Sequence, residues 1–194
     1  MILERDFYNR SSLEVAKDLL GMILVHDTDQ GVTKGKIVEV EAYMGTKDKA
    51  AHSYKGKATK RTEVMFGECG HAYVYLIYGM YHCMNVVTNK IGTPEGVLIR
   101  ALEPISGVDL MTKRRKVKTL KQLCNGPGKL CIAMGINKEN NGMDLTRSKL
   151  YIEEIEEKEA FEIESSKRIN IDYAEEAKDF LWRYTIKGSK FVSK

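Results

Sequence analysis

The sequence has no run of eighteen apolar residues, which excludes a transmembrane helix. Its opening, MILERDFYNR, puts charges where a secretory signal needs an apolar stretch. The chain is therefore expected inside the cell, cytoplasmic and nucleoid-associated, or nuclear in a eukaryote. No C-x-x-C pair occurs among its four cysteines, Cys69, Cys83, Cys124 and Cys131. Zinc-ligand spacing is missing, so no metal is expected and the thiols read as reduced and structural. There is no internal repeat and no linker, and 194 residues suit one domain, 1–194, with a proper core.

The net charge of +4 conceals an uneven distribution. Residues 151–176 hold ten acidic and three basic side chains, while the rest of the chain holds 17 acidic and 28 basic. A basic body with one acidic strip predicts a polyanion-facing surface and a solvated back. A general habit of lysine-rich composition is the competing account.

The most informative stretch is HAYVYLIYGMYHCMNVVT, residues 71–88. Four of the ten tyrosines, Tyr73, Tyr75, Tyr78 and Tyr81, fall within nine residues. Tyr73 and Tyr75 alternate with Val74 and Leu76, the period of a strand. Gly79 interrupts the run and β-prone residues resume at Cys83, so the segment reads as a β-hairpin. A tyrosine at a turn tip is unusual, because tips favour Asn, Asp, Gly or Ser. Either the four rings line one core, or the tip ring meets a partner.

The remaining pattern is mixed. Ser11 and Glu14 suggest a capping box before a helix that Gly21 stops. Residues 22–27 and 35–43 read as strands, the second placing Ile37, Glu39, Glu41 and Tyr43 on one face. Residues 45–61 form a polar, lysine-rich loop. Residues 95–104 are another strand, ended by Pro104. Residues 108–122 contain KRRKVKTLKQ, as helix or loop. Gly126-Pro127-Gly128 is a turn before a short helix that Gly135 ends. The segment 151–164 alternates like strands, 174–181 reads as a helix, and the final stretch as strand, turn, strand.

Arg100 stands between Ile99 and Ala101, sharing its face with Leu98 and Leu102. A guanidinium there needs a carboxylate, and Glu41 or Glu39 is placed to serve. The pair is either a structural ion pair or a fixed, ionised base able to take a proton from water. Tyr43 lies on the same face, and His52 sits in the adjoining loop. A carboxylate among tyrosines suits a flat aromatic ligand, and a cationic ring would gain ~1–2 kcal/mol from the phenol faces once desolvated. The Gly-Pro-Gly-Lys129 turn is a candidate phosphate site. The basic run 113–121 is a solvated surface or a nucleic-acid contact.

The motifs IVEVEAYMGTKDKAAHS, MFG, YVYLIYGMYHCMNVVT, GVLIRALEP, NGPGKLC and KGSKFVS resemble the alkyladenine (3-methyladenine) DNA glycosylase family, over roughly residues 5–193. The resemblance implies an α+β fold: a single compact domain around a curved, mostly antiparallel sheet with a protruding β-hairpin. It implies a monofunctional N-glycosyl hydrolase of base-excision repair, acting on alkylated purines flipped from double-stranded DNA. Neither cofactor nor metal is required, and a monomer is the default. Glu41 would activate the attacking water, Arg100 would help hold it, and the Ile186 carbonyl would be a third water ligand. Tyr43, His52 and Tyr75 would stack on the extruded base, with Asn85 on the pocket floor. Tyr78 would enter the minor groove, and Lys129 would face phosphates. Thr62 replaces an expected Asn, which puts the hydrogen bonding of that loop in question, and Tyr81-His82 lie where the family varies. The rivals are a catalytically silent DNA-binding module and a hydrolase of free nucleosides.

Overall fold

In the structure, a computed structural model, residues 1–56, 58–155 and 160–193 are described. Two helices open the chain, α1 (Arg5–Tyr8) and α2 (Ser12–Leu19). The Ser11 hydroxyl accepts from the Leu13 N–H at 3.3 Å rather than from Glu14, so Ser11 caps α2 without the expected box. Gly21, at φ 84°, turns the chain into β1 (Ile23–Thr28). The long β2 (Gly31–Tyr43) follows, then the hairpin of β3 (Ala72–Ile77) and β4 (Tyr81–Thr88), and β5 (Glu95–Ser106). Three helices come next, α3 (Val108–Arg115), α4 (Leu120–Leu123) and α5 (Pro127–Met134). Short strands β6 (Leu150–Glu153), β7 (Ile163–Ser166) and β8 (Arg183–Ile186) complete the sheet.

The fold is α+β, as expected, and every described strand pairing is antiparallel. The order is β3-β4-β5-β2-β1-β6, with β8 pairing both β2 and β7. β2 is the axis. One edge pairs with β5; the other pairs first with β1 through residues 31–36 and then with β8 through residues 39–41. The sheet therefore forks beside Glu39 and Glu41.

Two offset bulges lie at that fork. From Val40↔Ile99 to Glu39↔Ala101 the ladder advances one residue on β2 and two on β5, which leaves Arg100 unpaired. From Glu39↔Ala101 to Ile37↔Leu102 it advances two on β2 and one on β5, leaving Val38 over and restoring the register. A bulge re-aims the side chain at its extra residue. Here that residue is Arg100.

The opposite face of the sheet packs on the helices. Val15, Ala16 and Leu19 of α2 share one buried cluster with Val40, Ala42, Val97 and Ile99. Each buried Val, Leu or Ile among them contributes about 1.5–3 kcal/mol by leaving water. Leu130, Ala133 and Met134 of α5 extend the cluster.

Several sequence expectations need correcting. Pro104 does not end its strand; it pairs with Gly35, and β5 continues to Ser106. The helix expected over 174–181 is a 3-10 turn, Glu175–Asp179, opened by Glu175 at φ 48°. The closing strand-turn-strand keeps only β8; beyond it the Ser189 N–H bonds the Ile186 carbonyl, and the described residues up to 193 form no further strand. Of the strand pattern expected across 151–164, residues 156–159 lie outside the described residues, and β6 and β7 flank them.

Candidate active site

Strand register assembles the site. Directly opposed residues share a face, so Tyr73↔Asn85, Asn85↔Leu98, Leu98↔Glu41 and Glu41↔Arg183 define one transverse row across β3, β4, β5, β2 and β8. A cavity of about 490 Å³ is built over this row. Tyr43, His52, Tyr75, Asn85 and Arg100 line it, and so do Tyr78, Lys129 and Ser193.

Glu41 itself lies one layer behind that wall. Its side chain is sealed from solvent, and the residues holding it are wall residues. Oε2 accepts from Tyr43 Oη at 2.8 Å, Oε1 accepts from the Ile169 N–H at 2.8 Å, and Arg100 Nη1 is 3.4 Å from Oε1. An ionised carboxylate has about four acceptor positions, so capacity for a water remains. Burial, then Glu41, pushes the Tyr43 phenol well above its ordinary range and keeps it a donor. Burial opposes the charge on Arg100, but Glu41 and Glu39 outweigh it and raise its pKa.

Both anticipated partners of Arg100 are used. Arg100 Nε donates to Glu39 Oε1 at 2.9 Å, and Nη2 donates to Ser193 Oγ at 3.2 Å. Glu39 is fully buried and also accepts from Arg183 Nε at 2.7 Å, from Ser193 Oγ at 2.7 Å and from the Ser193 N–H. Burial works against ionisation of Glu39, yet the Ser193 N–H, Arg100 and Arg183 together hold its carboxyl below the usual range.

The aromatic wall is ordered by contacts within it. Tyr73 and Tyr75 stack with centroids 5.2 Å apart, and His52 meets Tyr75 edge-on at 4.6 Å. His52 Nδ1 lies 3.1 Å from Tyr73 Oη. Burial and then Arg61 lower the His52 pKa to about 4, so the imidazole is neutral near pH 7. Burial pushes the Cys83 thiol, another wall group, up to about 11. Also in the wall, Asn85 Nδ2 is buried with no hydrogen-bond partner among the described residues.

The hairpin tip answers the question its sequence raised. Tyr78 and Gly79 have φ 52° and 69°, and the Met80 N–H bonds the Ile77 carbonyl at 3.2 Å. Two consecutive positive φ values are the pattern of a type I′ turn, which favours Asn-Gly. A tyrosine in this conformation is strained, and the residue is 72% exposed. The four rings therefore do not share one core: Tyr73 is buried and Tyr78 projects. Gly128 packs against the hairpin beside its tip, since a Cβ there would come within 3.0 Å of Tyr81.

Lys129 reaches the rim, with Nζ 3.2 Å from Asn125 Oδ1. Of the basic run, Arg114 is committed to Gln30, Thr28 and the Ala133 carbonyl, and Arg115 bonds the Leu123 carbonyl while lining the cavity. The loop hydrogen bonding questioned at Thr62 is supplied by Thr59, whose N–H donates to Thr62 Oγ1 at 3.0 Å while its own Oγ1 accepts from the Thr62 N–H.

One sequence expectation draws no support from the cavity lining and another fails. Ile186 does not line the cavity, and its carbonyl already accepts one bond, from the Ser189 N–H. The segment 151–176 is not wholly a solvated back: Ile169, Asn170, Ile171 and Tyr173 form part of the cavity wall, and Ile169 binds Glu41. Arg61, stacked 5.1 Å over Tyr75, was also missed. The one sequence signal for the 168–173 wall was Arg168, an arginine set in an apolar-polar alternation within the acidic strip. Among the described residues, no group of three or more His, Cys, Asp or Glu side chains could hold a metal ion, and no helix is long and apolar enough to cross a membrane.

The family model for methylpurine-DNA glycosylase (MPG) matches residues 6–190. A protein of Clostridium acetobutylicum named "Putative 3-methyladenine DNA glycosylase" is 57% identical over 201 residues, covering 100% of this chain and 98% of its own length. Proteins of the same name from Clostridium novyi and Alkaliphilus oremlandii are 54% and 56% identical, each over at least 98% of both chains.

Proposed function

The chain belongs to the methylpurine-DNA glycosylase family, and from that membership we propose that it removes alkylated purines of the 3-methyladenine type from duplex DNA, leaving an abasic site. A base within a duplex is out of reach, so the enzyme flips it out, at a cost of a few kcal/mol. Tyr78 fills the space the base leaves. The base enters between Tyr43, His52 and Tyr75, and Asn85 lies beneath it. Alkylation at a ring nitrogen makes the base cationic, which strengthens its stacking on the phenol faces and improves it as a leaving group.

Water then attacks C1′. The C1′–N bond breaks, its electron pair leaves with the base, which departs neutral, and the proton of the water passes to Glu41. Arg100 and the Ile169 N–H hold the carboxylate in line. The observation that most supports this reading is the Glu41–Arg100–Tyr43 set directly behind an aromatic cavity, beside a strained, projecting tyrosine.

The test is a duplex carrying one lesion, incubated with enzyme and cleaved with alkali, over a panel of 3-methyladenine, 7-methylguanine, hypoxanthine and etheno-adenine. Glu41→Gln should abolish cleavage while keeping affinity for damaged DNA. An active Glu41→Gln protein would refute the assignment. A free-nucleoside hydrolase would keep its activity in Tyr78→Ala, whereas the duplex enzyme should lose it. Borohydride should trap no covalent adduct, since water is the nucleophile.

A further inference from the structure

We propose that Glu39 is a positioning residue for the reaction: it holds Arg100 by Nε, so that the guanidinium cannot close on Glu41 with two nitrogens, and it fixes Ser193 into the cavity wall. The proposal rests on the reading of Glu41 as the base.

The geometry that supports it is a division of one guanidinium among three acceptors. Nε goes to Glu39 at 2.9 Å, Nη2 to Ser193 Oγ at 3.2 Å, and Nη1 to Glu41 at the longer 3.4 Å. Arginine prefers a two-point, fork-to-fork pair with a carboxylate. Beside Nη1, only Nη2 could complete that pair on Glu41, and Nη2 is taken by Ser193, which Glu39 holds while also fixing the guanidinium through Nε. A fully paired Glu41 would be a weaker base, and general-base catalysis falls with base strength.

Glu39 is itself anchored from three sides. Arg183 of β8 and both the N–H and Oγ of Ser193 converge on it. The offset bulges at Arg100 and Val38 let β5 aim its arginine at this point. A salt bridge serving stability alone would not require a shared arginine; Glu39 already has a second one in Arg183.

The groups facing the two carboxylates are few. Arg100 of β5 faces both, and Arg183 faces Glu39. Tyr43 and the Ile169 N–H face Glu41, Arg168 lies over the Tyr43 ring, and Cys83 of β4 and Tyr173 feel Glu41 electrostatically.

The experiment measures single-turnover excision against pH, DNA affinity and thermal stability for Glu39→Gln. The expected result is a loss of about tenfold or more in rate at neutral pH with DNA affinity within about threefold of wild type. The acid limb of the rate profile should move to lower pH, because the freed guanidinium turns to Glu41. A protein that melts earlier but keeps the wild-type rate per folded molecule, with an unmoved acid limb, would overturn the proposal. Should Glu39→Gln fail to fold, Ser193→Ala removes only the hydroxyl shared by Arg100 and Glu39. A smaller rate loss with the same direction of pH shift supports the proposal, and an unchanged rate and profile overturns it. An inactive Glu41→Gln beside a normal Glu39→Gln would refute the positioning role alone; an active Glu41→Gln would remove the premise and the proposal together.

Discussion

Arg168 and Asp48 form a two-point ion pair with both side chains sealed from solvent, at 2.6 Å and 2.9 Å. Arg168 also donates to the carbonyls of Ala42 and Ala177 and lies over the rings of Tyr43 and Trp182. The next residue, Ile169, delivers its N–H to Glu41. The pair therefore fastens a wall segment to the strand that carries the carboxylate. Removing one partner leaves a buried charge uncompensated, which costs about 3–5 kcal/mol. Asp48→Ala should show that loss in urea unfolding, and any folded fraction should excise slowly, because Ile169 is released from Glu41. A stability change within about 0.5 kcal/mol, the range of ordinary surface substitutions, would refute the role given to the pair.

Tyr78 should separate stability from activity. Its left-handed backbone costs a non-glycine residue about 1–2 kcal/mol, and its exposed ring has little packing to lose. Tyr78→Gly removes that strain but adds backbone freedom to the unfolded chain, an opposing effect of about 0.5–1 kcal/mol. Thermal unfolding should therefore show the variant as stable as wild type or slightly more so, while excision from duplex DNA falls. A Tyr78→Gly protein of clearly lowered stability would mean that the ring packs on its own fold.

How much of this was legible in the sequence depended on the range of the interaction. Period-two alternation found the hairpin, and Gly79 marked its tip, because both signals are local. Arg100 beside Leu98 and Leu102 announced a carboxylate partner, but not that Glu39 and Glu41 would share it. That depends on bulges at Arg100 and Val38, and a ladder slip leaves no mark on one strand alone. Ile169 reaches Glu41 through its backbone N–H, which every residue but proline has, so no side-chain pattern could reveal it; Ser193 adds its hydroxyl to its N–H, but a lone serine in the last residues carries no local signal of a partner at Glu39. The acidic composition of 151–176 pointed to solvent and was right for Glu175 and Glu176, which pair with Lys49 at the surface. It was wrong for Arg168 and Ile169, because composition averages over the few residues that turn inward.

His52 gives a pH prediction with a defined sign. Its pKa falls from 6.5 to about 4 on folding, chiefly through burial and secondly through Arg61. Between those values the unfolded chain binds the proton and the folded protein does not, so unfolding takes up a proton. Stability should decline as pH falls from 6.5 toward 4 and should not depend on His52 above that window. His52→Gln should flatten this part of the stability curve in denaturant titrations. The imidazole is already neutral near pH 7, so His52 should contribute no limb to the excision profile between neutrality and pH 5.5. A histidine NMR titration with a midpoint near the ordinary 6.5 would contradict both statements.

The lysines beyond Arg115 should act through salt dependence rather than catalysis. Arg114 is used up in holding Gln30, Thr28 and the Ala133 carbonyl, so it is a structural tie. Arg115 lines the cavity, and from there the chain presents Lys116, Lys118 and Lys121, all exposed. Each phosphate contact releases condensed counterions and adds about 0.9 to the slope of log affinity against log salt. Replacing the three by alanine should therefore weaken duplex binding at low salt and flatten that slope by about 2–3. The single-turnover rate at saturating DNA should be unchanged, because none of the three touches Glu41, Arg100 or the aromatic wall. Arg114→Ala should do the reverse, lowering stability with little effect on the slope. A triple variant with an unaltered slope would show that this basic run is a solvated surface, the simpler of the two accounts its composition allows.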